Sequence, residues 1–388
     1  MNNFNFHVPT SILFGEGQVS HLPAALETYG QRVLLVYGGG SIKKNGVYQK
    51  VMDLLTGNFT VTELAGVEPN PRLETVVKGA EICRQENIDV ILAVGGGSTI
   101  DCAKAIAAAR YYDGNPWDFT QNRGLVGEAL PLVTILTMSA TGSEMNGGAV
   151  ITNLATNEKL GLGGPSLLPK VSILDPTYTY SVPAVQTAAG SADIFSHLIE
   201  NYFSRNTSAS VQDRIAEGIM KTVVKYTPVA LETPTDYEAR ANLMWSSSLA
   251  LNGLTGKGKE GTWSCHAIEH ELSAFYDITH GIGLAIVTPR WMTHVLNEQT
   301  VGQFVEFAVN VFGVSRDGEP FDIAHQGIKA LYDTFASWGI PMTLPEVGID
   351  DSKLRLMAEK AVEHSTIAEA AFVPLTAADV EAILKDCF

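Results

Sequence analysis

The sequence predicts an α/β domain built on a parallel sheet and carrying a dinucleotide-binding site, followed by an all-helical domain. Three observations carry this expectation. Short apolar runs that end in glycine alternate with helical periodicity through the first half. Long helical patterns with little strand character fill the second half. The change falls at Ser181-Val182-Pro183, which sets the expected domains at 1–182 and 183–388.

The elements follow in order. Arg32-Val33-Leu34-Leu35-Val36-Tyr37 is an apolar run closed by Gly38-Gly39-Gly40-Ser41, and 89–94 is another, closed by Gly95-Gly96-Gly97-Ser98. Leu73–Gln85 has helical periodicity, and the alanine-rich stretch 99–111 is a strong helix former. A third run, 131–137, leads into Ser139-Ala140-Thr141-Gly142-Ser143, and Val171-Ser172-Ile173-Leu174 is a fourth. Short, continuous, β-branched runs bounded by glycine are what strands buried on both faces look like. Beyond the boundary, helices are expected at 184–204, 211–226, 237–251, 325–338 and 352–364.

Composition narrows the function. The 388 residues are 45% hydrophobic and 18% charged, enough to bury a sizeable core. With 26 Lys+Arg against 42 Asp+Glu, the formal net charge is -16. That balance argues against a nucleic-acid partner and against an anionic membrane surface. The four cysteines make no C-x-x-C pair and read as reduced thiols in a cytoplasmic protein. The first residues show neither a basic n-region nor an apolar h-region, so no secretory signal is expected, and no apolar run is long enough to span a membrane.

A strand that ends in consecutive glycines and opens a helix can cradle an oxyanion. Glycine lets the backbone approach, and the helix start offers free N–H groups and a favourable dipole. Ser41 and Ser98 read as N-caps or direct donors. Neither corner is G-x-G-x-x-G, but two GGGS corners with Thr141-Gly142-Ser143 after a third strand suit a long phosphorylated ligand such as a dinucleotide. NAD sites commonly present a carboxylate to the ribose 2′-OH. Here Gly39 occupies the tip and Lys43 and Lys44 follow it, which favours a 2′-phosphate and hence NADP(H).

The second half carries a histidine cluster. Asp193 and His197 are spaced i,i+4 on a helical stretch, His266 and His270 repeat that spacing, and His280 precedes Gly281. Residues four apart share a helix face, so carboxylate and imidazoles can converge on one ion. Such donors suit Fe2+ or Zn2+, acting as a Lewis acid on a carbonyl or hydroxyl oxygen. Spacing alone does not say which histidines bind. A rival reading takes His266-Ala267-Ile268-Glu269-His270 as the H-x-x-E-H motif of a metallopeptidase, with Glu269 as base, but it leaves the glycine corners and Asp193/His197 unexplained.

Taken together, the sequence resembles the iron-containing, or group III, alcohol dehydrogenases, and most of all their butanol dehydrogenase and NADPH-dependent aldehyde reductase branch. The resemblance spans nearly the whole chain. It runs from Phe6-His7-Val8-Pro9-Thr10-Ser11-Ile12-Leu13-Phe14-Gly15 through Glu68-Pro69-Asn70-Pro71 to Gly95-Gly96-Gly97-Ser98-Thr99-Ile100-Asp101-Cys102-Ala103-Lys104. It continues with Thr137-Met138-Ser139-Ala140-Thr141-Gly142-Ser143-Glu144, Asp193 with His197, the 266–270 motif, and His280-Gly281-Ile282-Gly283. The resemblance implies a dehydroquinate synthase-like fold with the cofactor between its two domains. It implies Asp193, His197, His266 and His280 as metal ligands, and His270 beside substrate and nicotinamide as a catalytic group. Gly95, Gly96, Gly97 and Ser98 would hold the pyrophosphate. Gly38, Gly39, Gly40, Ser41 and Asn70 would surround the adenosine half. Thr137, Thr141, Asn146 and Lys159 would line the remaining cofactor site, with Asp101 near the nicotinamide as a second catalytic candidate. The activity implied is hydride transfer between NADP(H) and a primary alcohol/aldehyde pair by a homodimer or larger homo-oligomer. Glycerol dehydrogenases and sugar-phosphate cyclases of the same superfamily are the alternatives.

Overall fold

The computed structural model describes residues 1–260 and 263–388. They divide into two compact units: His7–Val182 with Pro234–Ser248, and Met1–Phe6 with Pro183–Thr233 and Leu249–Phe388. This differs from a single cut at 182/183 in two places, each with a local cause. The Ser247 hydroxyl accepts the Ala140 and Gly142 amides at 3.0 and 3.3 Å, which ties 234–248 to the α/β unit. At the other end, Asn2 N donates to Gly258 O at 2.9 Å, tying the first residues to the helical unit.

Among the described residues of the α/β unit, six strands form one parallel sheet: β1 (Ser11–Phe14), β2 (Arg32–Tyr37), β3 (Thr60–Ala65), β4 (Val90–Gly95), β5 (Leu132–Leu136) and β8 (Val171–Leu174), in the order β1-β8-β5-β4-β2-β3. An antiparallel hairpin, β6 (Gly148–Asn153) with β7 (Glu158–Gly163), stands apart from it. The central strands are apolar throughout because each face has its own core. Val33, Leu35, Val90, Leu92, Val94, Val133 and Ile135 pack on one side. Leu34, Val36, Ile91, Ala93, Leu132 and Leu136 pack on the other. That alternation is the strand period of two with both faces covered.

The chain steps outward from β2 to β3, then crosses to β4 on the opposite side of β2. This reversal is a topological switch point, and open parallel sheets bind ligands beyond the carboxyl ends of the strands there. The corners Gly38–Ser41 and Gly95–Ser98 follow the two strands that flank it, and the segment after β5 comes next along the same edge.

The helical unit contains Ala184–Tyr202, Ser210–Glu232, Ser264–Tyr276, His280–Val295, Val301–Phe312, Pro320–Ser337 and Leu354–Glu363. Every residue from 187 to 202 is buried, so Ala184–Tyr202 runs through the unit's interior. Its run of small residues, Ala188-Ala189-Gly190-Ser191-Ala192, lets His280–Val295 approach closely at Ala189. A Cβ on Gly281 would overlap the Ala189 carbonyl, so glycine is required there. No described helix is long and apolar enough to cross a membrane.

Candidate functional site

Three helices bring four donors of the helical unit to one point. Asp193 and His197 lie one turn apart inside Ala184–Tyr202, His266 lies in the first turn of Ser264–Tyr276, and His280 opens His280–Val295. The turn joining the last two is sharp: Asp277 takes a left-handed φ of 52° at the helix end and swings the chain back to His280. Asp193 Oδ1 stands 3.3 Å from His197 Nε2, 3.7 Å from His266 Nε2 and 3.8 Å from His280 Nε2. The His197 and His266 rings stack, with centroids 4.8 Å apart.

Asp193 is 2% exposed and His266 8%, yet neither Asp193 Oδ1 nor His266 Nε2 has a hydrogen-bond partner. Buried polar atoms in proteins are nearly always paired, so such a cluster needs an explanation. Four donors at about 2.1 Å around a tetrahedral ion stand about 3.4 Å from one another, close to the 3.3, 3.7 and 3.8 Å from Asp193 Oδ1 to the three imidazoles; donor atoms of Asp193, His266 and His280 all lie within 4.8 Å of one another. Three imidazole nitrogens and one carboxylate oxygen fit a divalent transition ion.

Burial and mutual charge compete within the cluster. Burial pushes the His197 imidazole down to about 4, so it is neutral and keeps a lone pair to donate. Burial acts in the same sense on His266, but Glu200 and Asp193 outweigh it and raise the ring to about 9. Burial alone would raise the Asp193 carboxyl; the surrounding imidazoles, His197 first, hold it well below the usual carboxylate range instead. It is therefore an anion at any ordinary pH.

His270 sits beside this cluster, its ring centroid 5.6 Å from that of His280 and 6.2 Å from that of His266. The Trp263 ring meets His197 and His266 edge-on, at 5.8 and 5.1 Å. Glu269 is fully buried, and its carboxylate meets His280 Nδ1 and Ser273 Oγ. A carboxylate so placed is no general base for water, which removes the structural support for the peptidase reading.

In the α/β unit the glycine corners are shaped by threonines. A Cβ on Gly95 would strike Thr99, and one on Gly97 would strike Thr141. Gly39 has open space around it. The expectation that Ser41 and Ser98 cap helices is corrected. Gly40, with φ 101°, stands at the N-cap before Ser41, and Gly96 stands at the N-cap before Gly97. The Ser98 hydroxyl donates to the Pro69 carbonyl instead, next to Asn70, which is buried. Lys43 does not reach out alone either: its ammonium lies 4.4 Å over the Tyr48 ring, 5.0 Å over Tyr37, and 3.9 Å from Glu63.

Two further expected contacts are engaged inside the unit. Asp101 accepts Ser143 Oγ at 2.5 Å and Val150 N at 2.9 Å, so both carboxylate oxygens have partners. Asn146 accepts Lys104 Nζ at 3.1 Å and Gly148 N at 2.9 Å, and donates to Gly142 O at 2.9 Å. Thr137 N bonds Gly95 O at 3.0 Å, fastening two corners together, and Lys159 is buried on β7. Sequence reasoning did not single out Lys104, Glu144, Ser247 or Ser248 here, nor Glu200 in the helical unit. Only the position of Glu200, three residues after His197, hinted that it belonged to the cluster.

The profile of iron-containing alcohol dehydrogenases matches residues 9–176, and that of the C-terminal part of the Fe-containing alcohol dehydrogenase family matches 187–388. The chain belongs to the iron-containing alcohol dehydrogenase family. It is 52% identical over 389 residues to NADH-dependent butanol dehydrogenase A of Clostridium acetobutylicum, covering 100% of both chains. It is 40% identical to the NADPH-dependent aldehyde reductase YqhD of Escherichia coli, covering 94% of each. Among solved structures, NADH-dependent butanol dehydrogenase A of Thermotoga maritima superposes with a TM-score of 0.95 at 42% identity, over 100% of this chain and 99% of that one. Iron-containing alcohol dehydrogenases use a nicotinamide cofactor and a divalent metal, and the chemistry of these relatives is alcohol/aldehyde oxidoreduction. The sheet-plus-helices architecture is the family's own.

Proposed function

We propose that this chain reversibly transfers hydride between NADP(H) and a primary alcohol/aldehyde pair of the butanol/butanal class, using one divalent ion, Fe2+ or Zn2+, held by Asp193, His197, His266 and His280. The convergence of three imidazole nitrogens on Asp193 Oδ1, a buried carboxylate oxygen that has no hydrogen-bond partner, carries the reading. An ion with these ligands is a Lewis acid for a carbonyl or alkoxide oxygen, and the nicotinamide supplies or accepts the hydride. Asp193 contributes the one negative charge of the ligand set, and the three histidines contribute Nε2 lone pairs. The Trp263 ring packs edge-on against the His197 and His266 imidazoles. His270, outside the ligand set, moves the proton to or from the substrate oxygen through its ring nitrogen. Gly95–Ser98 receive the pyrophosphate, and Gly38–Ser41 with Asn70 the adenosine half. Asp101 acts through Ser143, since its own oxygens are occupied.

The adenosine end supports NADP(H) through the open Gly39, which presents no carboxylate, and through Lys43 and Lys44. A second reading, NAD(H), is favoured by two observations. The Lys43 ammonium is already held by two tyrosines and Glu63, and the 52% identical relative is named NADH-dependent.

The test is butanal reduction by chelator-stripped protein reloaded with Zn2+, or with Fe2+ under anaerobic conditions, run with NADPH and NADH side by side. Metal-restored turnover with a higher kcat/KM for NADPH is expected. Undiminished turnover by stripped protein would remove the ion from the reading. A higher kcat/KM for NADH would transfer the reading to NAD(H).

A further inference from the structure

We propose that Glu200 and Glu269 are positioning residues for the metal, each clamping one ligand histidine so that its Nε2 faces Asp193. The inference rests on the ion proposed above being bound there. Its basis is a chain of contacts through the three helices. Glu200 lies on Ala184–Tyr202 and meets Nδ1 of His266 on the next helix. Glu269 lies on that helix, Ser264–Tyr276, and meets Nδ1 of His280 at the start of the third. Each helix thus carries a ligand, and two of them also carry the carboxylate that holds the following helix's ligand.

The contacts are specific. Glu200 is 3% exposed and Glu269 0%. Glu200 also accepts the Cys265 amide at 2.6 Å and the His266 amide at 3.3 Å, so it fixes the backbone that carries His266 as well as the ring. Glu269 has its place because residue 283 is glycine: a Cβ there would come 2.7 Å from Glu269 Cγ. A carboxylate on Nδ1 fixes the tautomer, leaving the Nε2 lone pair toward the centre and raising its basicity.

The arrangement also accounts for which histidines receive a clamp. His266 and His280 sit in the first turns of their helices, where backbone and ring have most freedom. His197 lies within the buried stretch 187–202 of its helix, and its Nδ1 has no hydrogen-bond partner. Packing and the stack on His266 orient it instead.

The experiment is a Co2+ and Zn2+ titration of the stripped full-length protein and of Glu200→Gln, Glu200→Ala, Glu269→Gln, Glu269→Ala and Gly283→Ala. Affinity is read by competition with a chromophoric chelator and geometry by the Co2+ d–d spectrum. Circular dichroism and a thermal melt of each apo form establish folding. Wild-type protein is expected to bind one ion per chain. The Ala variants should bind about 10–100-fold more weakly, and the Gln variants, which keep an acceptor but lose its charge, by a smaller factor. Both sets should change the Co2+ spectrum, and Gly283→Ala should reproduce the Glu269 spectrum without touching a charge. Unchanged affinity and spectrum in the folded variants, with wild type binding normally, would overturn the positioning role. Should the Ala forms not fold, the Gln forms and Gly283→Ala decide by the same criterion. Failure of wild type to bind any ion would instead overturn the metal reading itself, and the positioning role with it.

Discussion

In the α/β unit, Lys104 is completely buried, and its ammonium donates to Ser143 Oγ at 2.8 Å, Asn146 Oδ1 at 3.1 Å and Gly148 O at 2.7 Å. In the helical unit, Asp193 is as deeply buried, and its Oδ1 faces three imidazole nitrogens without one hydrogen bond. Both places put charge in a low-dielectric interior, where an unpaired group is costly. The first closes its network, with Asp101 beside Lys104 and Glu144 held by Ser248; among the described atoms of that network, Glu144 Oε2 is the one left over. The second leaves its donors aimed at a shared point. A closed network holds a loop in place, whereas an open one with matched donors is completed by something the chain does not supply.

If that contrast is sound, the two sites should fail differently. Asp193→Ala or His266→Ala should leave the fold intact while bound metal falls below about a tenth of an ion per chain and aldehyde reduction drops at least about a thousandfold. Metal analysis and initial rates would show both. Lys104→Met should do the reverse. Stranding Asp101 and Glu144 without their cation should cost about 3–5 kcal/mol in urea unfolding, while the folded fraction keeps its metal.

Lys104 also gives the α/β unit a pH signature. Burial pushes its ammonium down to about 8, partly opposed by Asp101. Between that pH and the ordinary lysine value near 10.4 the unfolded chain binds the extra proton, so the Lys104 contribution to stability rises with pH across this window. The difference in stability slope between wild type and Lys104→Met should isolate that rise, and no difference between pH 8 and 10 would refute it.

Smaller effects sharpen the comparison further. Gly281→Ala forces apart the helices that carry Asp193 and His280, which should destabilise the protein by about 1–3 kcal/mol and weaken metal binding together. Gly39→Asp, placed in open space, should leave stability alone. It should lower the ratio of NADPH to NADH kcat/KM by about tenfold, through repulsion of the 2′-phosphate.

The same contrast explains what could be read in the sequence. β2, β4, β5 and β8 were legible because both faces are apolar and glycine or a turn follows. β1 is only four residues long, and β3, Thr-Val-Thr-Glu-Leu-Ala on the sheet edge, carries no such pattern. The hairpin of β6 and β7 hid in a stretch that reads as loop. Asp193/His197 and His266/His270 announced themselves by helical spacing, but choosing His280 over His270 as a ligand needed the family resemblance. Glu200 and Glu269 act across helices, from positions 66 and 11 residues from their histidines, a separation that no local pattern encodes. The caps at Gly40 and Gly96 escaped for a backbone reason. Residues at Ser41 and Ser98 lie one position or more inside their helices, so their hydroxyls are past the point where a cap acts.

The central claim is that Asp193, His197, His266 and His280 together hold one divalent ion. Its most direct test is metal content and Co2+ absorption of the stripped and reloaded wild-type chain beside Asp193→Ala and His280→Ala. The account predicts one ion per chain in the wild type, with a low-symmetry Co2+ d–d spectrum, and loss of both in each variant. Stoichiometric Co2+ with an unaltered spectrum in either variant would contradict it.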